Sequence, residues 1–144
     1  TGGNRNTLLA RTAAPGNLWY GNMYYRNPRT DPAFVLRIAE MYLIRAEARA
    51  NLGKITEGLS DLNAVRTRAG LSLSAASTPA NLLLAIEQER RLEFAFEPHR
   101  WFDLVRTGRL DDIMGVADQT RWLMPIPVGE IQASNGVLVQ NDGY

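Results

Sequence analysis

The stretch that most constrains this chain runs from Glu87 to Leu110, EQERRLEFAFEPHRWFDLVRTGRL. It is dense in charge, yet large apolar residues run through it at helical spacing. Leu82, Ala85, Glu89, Leu92 and Phe96 recur at steps of three and four, as one face of a helix does. Glu89 stands in the middle of that face, where a carboxylate is costly unless it is paired. Arg90 flanks the same stripe beside Leu83, Ile86 and Phe94. A charged helix edge facing water would carry its charges opposite the apolar stripe, whereas these charges interrupt it. The pattern therefore predicts buried ion pairs, drawn from Arg66, Glu89, Arg90, Glu93, Arg100, Asp103 and Arg106. Glu89 is expected to lie inside and to meet Arg66, Arg100 or Arg106.

The helices around this stretch can be read in order. Asp31-Pro32 supplies a cap and a first-turn proline for a helix from Phe34 to Leu52. Its expected core side is Val35, Ala39, Tyr42, Leu43, Ala46 and Ala50, and Gly53 ends it. Met41, Ile44 and Ala48 are apolar away from that stripe, which predicts a second covered surface or self-association. A second helix is expected from Thr56 to Ala69, with Leu59, Leu62, Val65 and Ala69 inward and Gly70 as its stop. The two form an αα-hairpin resembling one tetratricopeptide unit. Ser77-Thr78-Pro79 opens a third helix, Pro79 to Phe96, and Pro98 interrupts it. A short fourth helix covers His99 to Thr107 and closes at Gly108. Trp122 to Pro127 reads as extended and buried, and Val128 to Gln132 as one helical turn. Residues 1–30 read as irregular or short extended structure, broken by Pro15-Gly16-Asn17, Gly21-Asn22 and Asn27-Pro28. The fold class is all-α, tetratricopeptide-like hairpins with irregular flanks, in a single domain of 144 residues.

Composition removes several function classes. The formal net charge of +1 gives no nucleic-acid or basic membrane surface. The absence of cysteine excludes disulfides, thiolate metal sites and a cysteine nucleophile. His99 is the only histidine, so it has no histidine partner in a metal cluster, and no acidic calcium loop occurs. No cofactor is expected. Glu87, Glu89, Glu93 and Glu97 could imitate the paired acids of a glycoside hydrolase, but they alternate with Arg90, Arg91 and Arg100, which favours ion pairing. Lys54 is the only lysine among 16 basic residues. Arginine suits such pairing, being planar, bidentate and tolerant of burial.

One segment has the composition of a recognition surface. Trp19, Tyr20, Tyr24, Tyr25, Arg26 and Asn27 cluster between turns. Aromatic rings take the C–H faces of sugars, and Asn and Arg take the hydroxyls. The competing expectation is that these rings pack the loop onto the helices.

The signature ERRLEFAFE-x-HRWFDLVRTGRL resembles that of the SusD/RagB family, cell-surface nutrient-binding lipoproteins paired with TonB-dependent transporters. DPAFVLRIAEMYLIRAEARANLG (Asp31 to Gly53), LSDLNAVRTRAGL (Leu59 to Leu71), LMPIPVGEI (Leu123 to Ile131) and QNDGY (Gln140 to Tyr144) match in the family's order. Pro98 stands where the family usually has Gly, and Asp142 where it usually has Pro. The resemblance implies a non-catalytic protein that captures a glycan or other nutrient, an oligosaccharide or polysaccharide, at the outer membrane's cell surface. It would deliver this to a SusC-like, TonB-dependent transporter. It also implies that this chain is the C-terminal part of a longer, lipid-anchored protein. The alternative reading is a tetratricopeptide-type adaptor that binds a protein segment. No ligand-binding residue is carried over by motif.

Overall fold

The computed structural model describes residues 3–11, 18–21 and 35–144, with residues 7–11 described by their backbone alone. Two compact units result, residues 1–97 and 98–144. The first begins with a 3-10 turn, Gly3–Leu8, and an antiparallel ribbon of β1 (Leu9–Arg11) and β2 (Trp19–Gly21), in which Ala10 pairs with Tyr20. Three helices follow: α1 (Ile38–Asn51), α2 (Ile55–Arg68) and α3 (Pro79–Glu93). The fold is an all-α helical bundle in packed layers, to which the ribbon is a small addition.

The core of the bundle is built from the small side of α1. Ala39, Leu43, Ala46 and Ala50 bury against Leu62 and Val65 of α2, Leu82 and Ile86 of α3, and Phe94. Burying each Leu or Ile contributes about 1.5–3 kcal/mol. The small residues let the helices approach closely. Gly58 of α2 shows how closely: a Cβ there would meet the carbonyl oxygen of Ala46 at 3.0 Å and Leu82 at 3.1 Å. Buried Asp61 ties α2 back to α1 by accepting hydrogen bonds from Arg45 Nε and Nη2, at 2.9 and 2.7 Å, and another from Arg49.

Helices α1 and α2 end alike. After α1, the N–H of Gly53 donates to Ala50 and that of Lys54 to Arg49; after α2, Gly70 donates to Thr67 and Leu71 to Arg66. Both are Schellman closures with the glycine in the left-handed region, at φ 71° and 68°. The helix α3 starts as expected, with Thr78 accepting from the N–H of Asn81 and Pro79 in the first turn.

Three expectations need correction in this unit. The first helix begins at Ile38, because Arg37 takes an extended conformation (φ −130°, ψ 142°) from which its side chain reaches Glu93 and Glu97. Asp31, Pro32 and Phe34 lie outside the described residues. Val35 is strongly exposed and Tyr42 partly so, so neither belongs to the core side. Finally, α3 stops at Glu93 instead of Phe96. The carbonyl of Glu93 accepts from Arg37 Nη2 at 2.8 Å, and the N–H of Glu97 donates to Phe94. Phe96 then adopts φ 68° with its ring largely exposed but close enough to Gly21 that a Cβ there would meet it at 3.0 Å.

The second unit comprises α4 (Arg100–Arg106), α5 (Leu110–Met114), a 3-10 turn Gln119–Trp122, and α6 (Val128–Ala133). Leu104 and Leu110 are its buried apolar residues. Gly108 and Arg109 close α4 by donating to Val105 and Leu104. Polar contacts hold the rest. Trp101 Nε1 donates to the carbonyl of Trp122, and Trp122 Nε1 to that of Val116. The tail is clamped onto residues 123–126: the Gln140 amide exchanges two hydrogen bonds with the main chain of Ile126, and Tyr144 Oη donates to Leu123. The segment after Trp122 is extended, but Leu123 and Met124 are half exposed, which corrects the expectation of burial. Its hydrogen bonds go to tail side chains and not to a covering layer. Among the described residues, no helix is long and apolar enough to cross a membrane.

Candidate functional site

Two carboxylates of α3, Glu89 and Glu93, stand one turn apart and face inward. The Glu89 side chain has no exposure to solvent. One of its oxygens accepts from Arg66 Nη1 at 2.9 Å, and the other from Arg5. Glu93 accepts from Arg5 Nε at 2.7 Å, Arg37 Nη1 at 2.7 Å and Arg68 Nη2 at 2.5 Å. Arg37 also forks onto Glu97, with contacts of 2.6 and 3.2 Å. Arginines from the first turn, from the residue ahead of α1 and from the last turn of α2 thus converge on one turn of α3.

The electrostatics follow from this geometry. Burial acts most strongly on Glu93 and pushes its carboxyl upward. The hydrogen bonds from Arg37 and Arg68 and the charges of Arg5 and Arg68 together outweigh burial, and hold the group below the usual carboxylate range. Arg37 is raised: burial lowers it, but its bonds to Glu97 and Glu93 and their charges prevail. Arg90 is buried, lies 5.0 Å from the Phe94 ring centroid and 3.9 Å from Glu40. Arg37 lies over the same ring, also at 5.0 Å.

Of the residues expected in the ion-pair network, Arg66 and Glu89 are joined directly, and Glu93 belongs to the same cluster. Asp103 and Arg106 pair within α4 of the second unit, at 3.0 Å. Arg100 heads the same helix and is half-buried. Reading the sequence missed Arg5, Arg37 and Arg68. The scarcity of lysine was the one available signal, and it named no position. The arrangement does not suit acid–base chemistry. A glycosidase acid needs a raised pKa and access to substrate, whereas Glu93 is lowered and Glu89 is sealed. Among the described residues, no group of three or more His, Cys, Asp or Glu side chains could hold a metal ion.

The aromatic segment is described in part. Trp19 and Tyr20 are 64% and 40% exposed on β2. Neighbouring residues of a strand point to opposite faces, so the two rings cannot line the same side of the ribbon. Tyr24, Tyr25, Arg26 and Asn27 lie outside the described residues. A separate open groove of about 470 Å³ in the second unit is lined by Gln119, Thr120, Leu123, Gln140, Asn141 and Asp142. Its polar groups already hold the chain: the Gln140 amide binds Ile126, Asn141 Nδ2 donates to Met124, and the Thr120 hydroxyl donates to Asp118.

In the first unit a helical hairpin is thus tied to a third helix by an arginine–carboxylate cluster whose two glutamates are buried. The family model for the SusD family matches residues 19–118, and the chain belongs to that family. SusD-like protein P38 of Formosa agariphila is 36% identical over 90 residues, 56% of this chain and 18% of its own length. SusD-like protein P25 of the same organism is 30% identical over 128 residues, covering 78% of this chain and 24% of the relative. Among solved structures, a SusD-like protein from Bacteroides fragilis superposes with a TM-score of 0.64 at 32% identity, over 76% of this chain and 25% of that one. Surface glycan-binding protein A from Bacteroides uniformis superposes with a TM-score of 0.56 at 33% identity, over 87% of this chain and 29% of that one. The chain spans about a quarter or less of the length of the curated relatives it matches.

Proposed function

We propose that this chain is the helical scaffold region of a non-catalytic SusD-type protein. That protein captures an oligosaccharide or polysaccharide at the outer-membrane surface and passes it to a TonB-dependent transporter. The observation that carries this reading is the family match over residues 19–118, which spans β2, the hairpin and the charged signature. It is supported by a relative of 33% identity that is named for binding glycans at the surface. The sealed cluster fits the same reading, since it spends the signature's charges on holding helices together.

The test uses the natural polypeptide that carries this sequence. Titration against a panel of soluble polysaccharides should give saturable binding with no release of reducing sugar, and a TonB-dependent transporter should co-purify with the protein. Release of sugar would replace this reading with a hydrolase. Binding of extended peptides without any glycan affinity would replace it with an adaptor.

We further propose that the aromatic segment Trp19 to Asn27 contributes to the glycan surface. Because Trp19 and Tyr20 point to opposite faces of β2, only one of them can share a platform with the rest. One of the two substitutions, Trp19→Ala or Tyr20→Ala, should weaken glycan binding about tenfold, or ~1.4 kcal/mol, while the other has little effect. Unchanged affinity in both variants would remove this segment from the site.

A further inference from the structure

Phe96 holds a backbone conformation that suits it poorly. Its φ of 68° lies in the left-handed region, where the Cβ of an aromatic residue crowds the main chain. Its neighbours impose this. Phe94 is buried in the core and its carbonyl accepts from the N–H of Glu97 at 3.0 Å, while the Glu97 carboxylate is held by Arg37 at 2.6 and 3.2 Å. A glycine or asparagine would sit there at less cost, so the strain points to a use for the ring. The ring seats on Gly21 of β2: a Cβ at that glycine would meet three ring atoms, two at 3.0 Å and one at 3.3 Å. Gly21 has no left-handed φ, so its missing side chain serves the close approach and not a turn. Alternate residues of a strand share a face, which puts Trp19 on the same side of β2 as the Phe96 ring and Tyr20 on the other.

We propose that Phe96 is a positioning residue for Trp19. Its ring fills the place that a side chain on Gly21 would take, beside Trp19, and so fixes the direction in which the indole meets a sugar ring. For its ligand the proposal rests on the glycan reading of the aromatic segment; for its geometry it rests on the contact with Gly21. It selects Trp19 over Tyr20 as the aromatic that shares the platform, because the Phe96 ring lies on the Trp19 face of β2. An indole held in place loses less freedom when a ligand stacks on it, which favours binding. The charged signature then serves recognition without placing a charge in the site. Arg37 draws off the carbonyl of Glu93 where α3 stops, and that stop sets Phe96 against the ribbon.

The test uses the natural polypeptide labelled with fluorinated tryptophan, its Trp19 resonance assigned by the signal lost in Trp19→Phe. Phe96→Asn removes the ring and keeps a residue that accepts the left-handed backbone. Gly21→Ala keeps the ring and takes its seat. Both should shift or broaden the Trp19 resonance and leave the other tryptophan signals in place. Both should also weaken binding of a soluble polysaccharide from the panel about tenfold. Phe96→Tyr, which keeps the ring, should change neither readout. In a Trp19→Ala background, Phe96→Asn should weaken binding by less than about twofold more, because the two residues act as one. An unmoved Trp19 resonance in both variants would overturn the proposal. So would affinity losses from Phe96→Asn and Trp19→Ala that simply multiply. If one variant fails to fold, the other carries the same readouts. If the unmodified protein binds no glycan, the functional reading fails, and the resonance alone decides whether Phe96 positions Trp19.

Discussion

Glu89 and Glu93 receive four arginines between them, and a carboxylate at such depth is costly unless it is paired. Such a cluster fixes geometry more than it adds net stability, because desolvation offsets much of the attraction. Removing one member is another matter, since its partners stay buried. Glu89→Gln should cost about 3–5 kcal/mol in urea unfolding, with glycan affinity per folded molecule unchanged. A variant of normal stability that had lost binding would make the signature a ligand site. Glu93 sets the pH response. Its folded pKa is lowered, so its stabilisation is complete above the ordinary carboxylate range and is lost as pH falls through the folded value. Asp61 is lowered as well: burial raises it, but its bonds to Arg45 and Arg49 win, and the same sign applies. Stability should therefore fall on acidification, and Glu93→Gln should flatten that fall; equal acid slopes in both proteins would exclude Glu93 as its source. The inward position of Glu89 is readable from its place between Ala85 and Leu92. Its partner Arg5 is not, because a single arginine between two asparagines carries no periodic pattern.

At the level of elements, helices with strong periodicity and glycine stops were legible almost to their ends. The starts and stops that moved were set by tertiary contacts, which no local pattern encodes. Arg37 is the clearest case, since one side chain both delays the start of α1 and draws off the last carbonyl of α3. The short α5 escaped because five residues, Leu110–Met114, are too few for a period to show. The contact between α1 and α2 makes a sharp prediction. Alanine for glycine inside a helix ordinarily stabilises by about 1 kcal/mol. At Gly58 the new methyl would press on the main-chain oxygen of Ala46, which cannot swing aside. Overpacking of about 1–3 kcal/mol should outweigh the gain, so Gly58→Ala should lower the melting temperature, and Gly58→Val should lower it further. A higher melting temperature for Gly58→Ala would mean that the hairpin has slack.

Across the whole molecule, family membership and the all-helical architecture were legible because the motifs Asp31–Gly53, Leu59–Leu71 and Glu89–Leu110 occur in one order. The division into two units was not, because the only local break at their boundary is Pro98, which reads as the end of a helix. The arginine cluster carries a consequence for how the chain is made. Arg5 lies 84 and 88 residues ahead of the two carboxylates it meets, and Arg37 lies 56 ahead of Glu93. During synthesis every cation of this cluster leaves the ribosome before any of its anions. The hairpin of α1 and α2 can form early, since its own bridge, Arg45 to Asp61, is local. The first turn, however, has only the end of α2 to hold, through the N–H of Asn4 donating to Ala69, and no carboxylate of the cluster until α3 emerges. Arrested nascent chains should therefore gain protease resistance in two steps, first across the hairpin of α1 and α2 and later at the first turn, once Glu97 has cleared the exit tunnel. Until then Arg5, Arg37, Arg66 and Arg68 have no carboxylate of this cluster to bind, and the arrival of two glutamates is what gathers them.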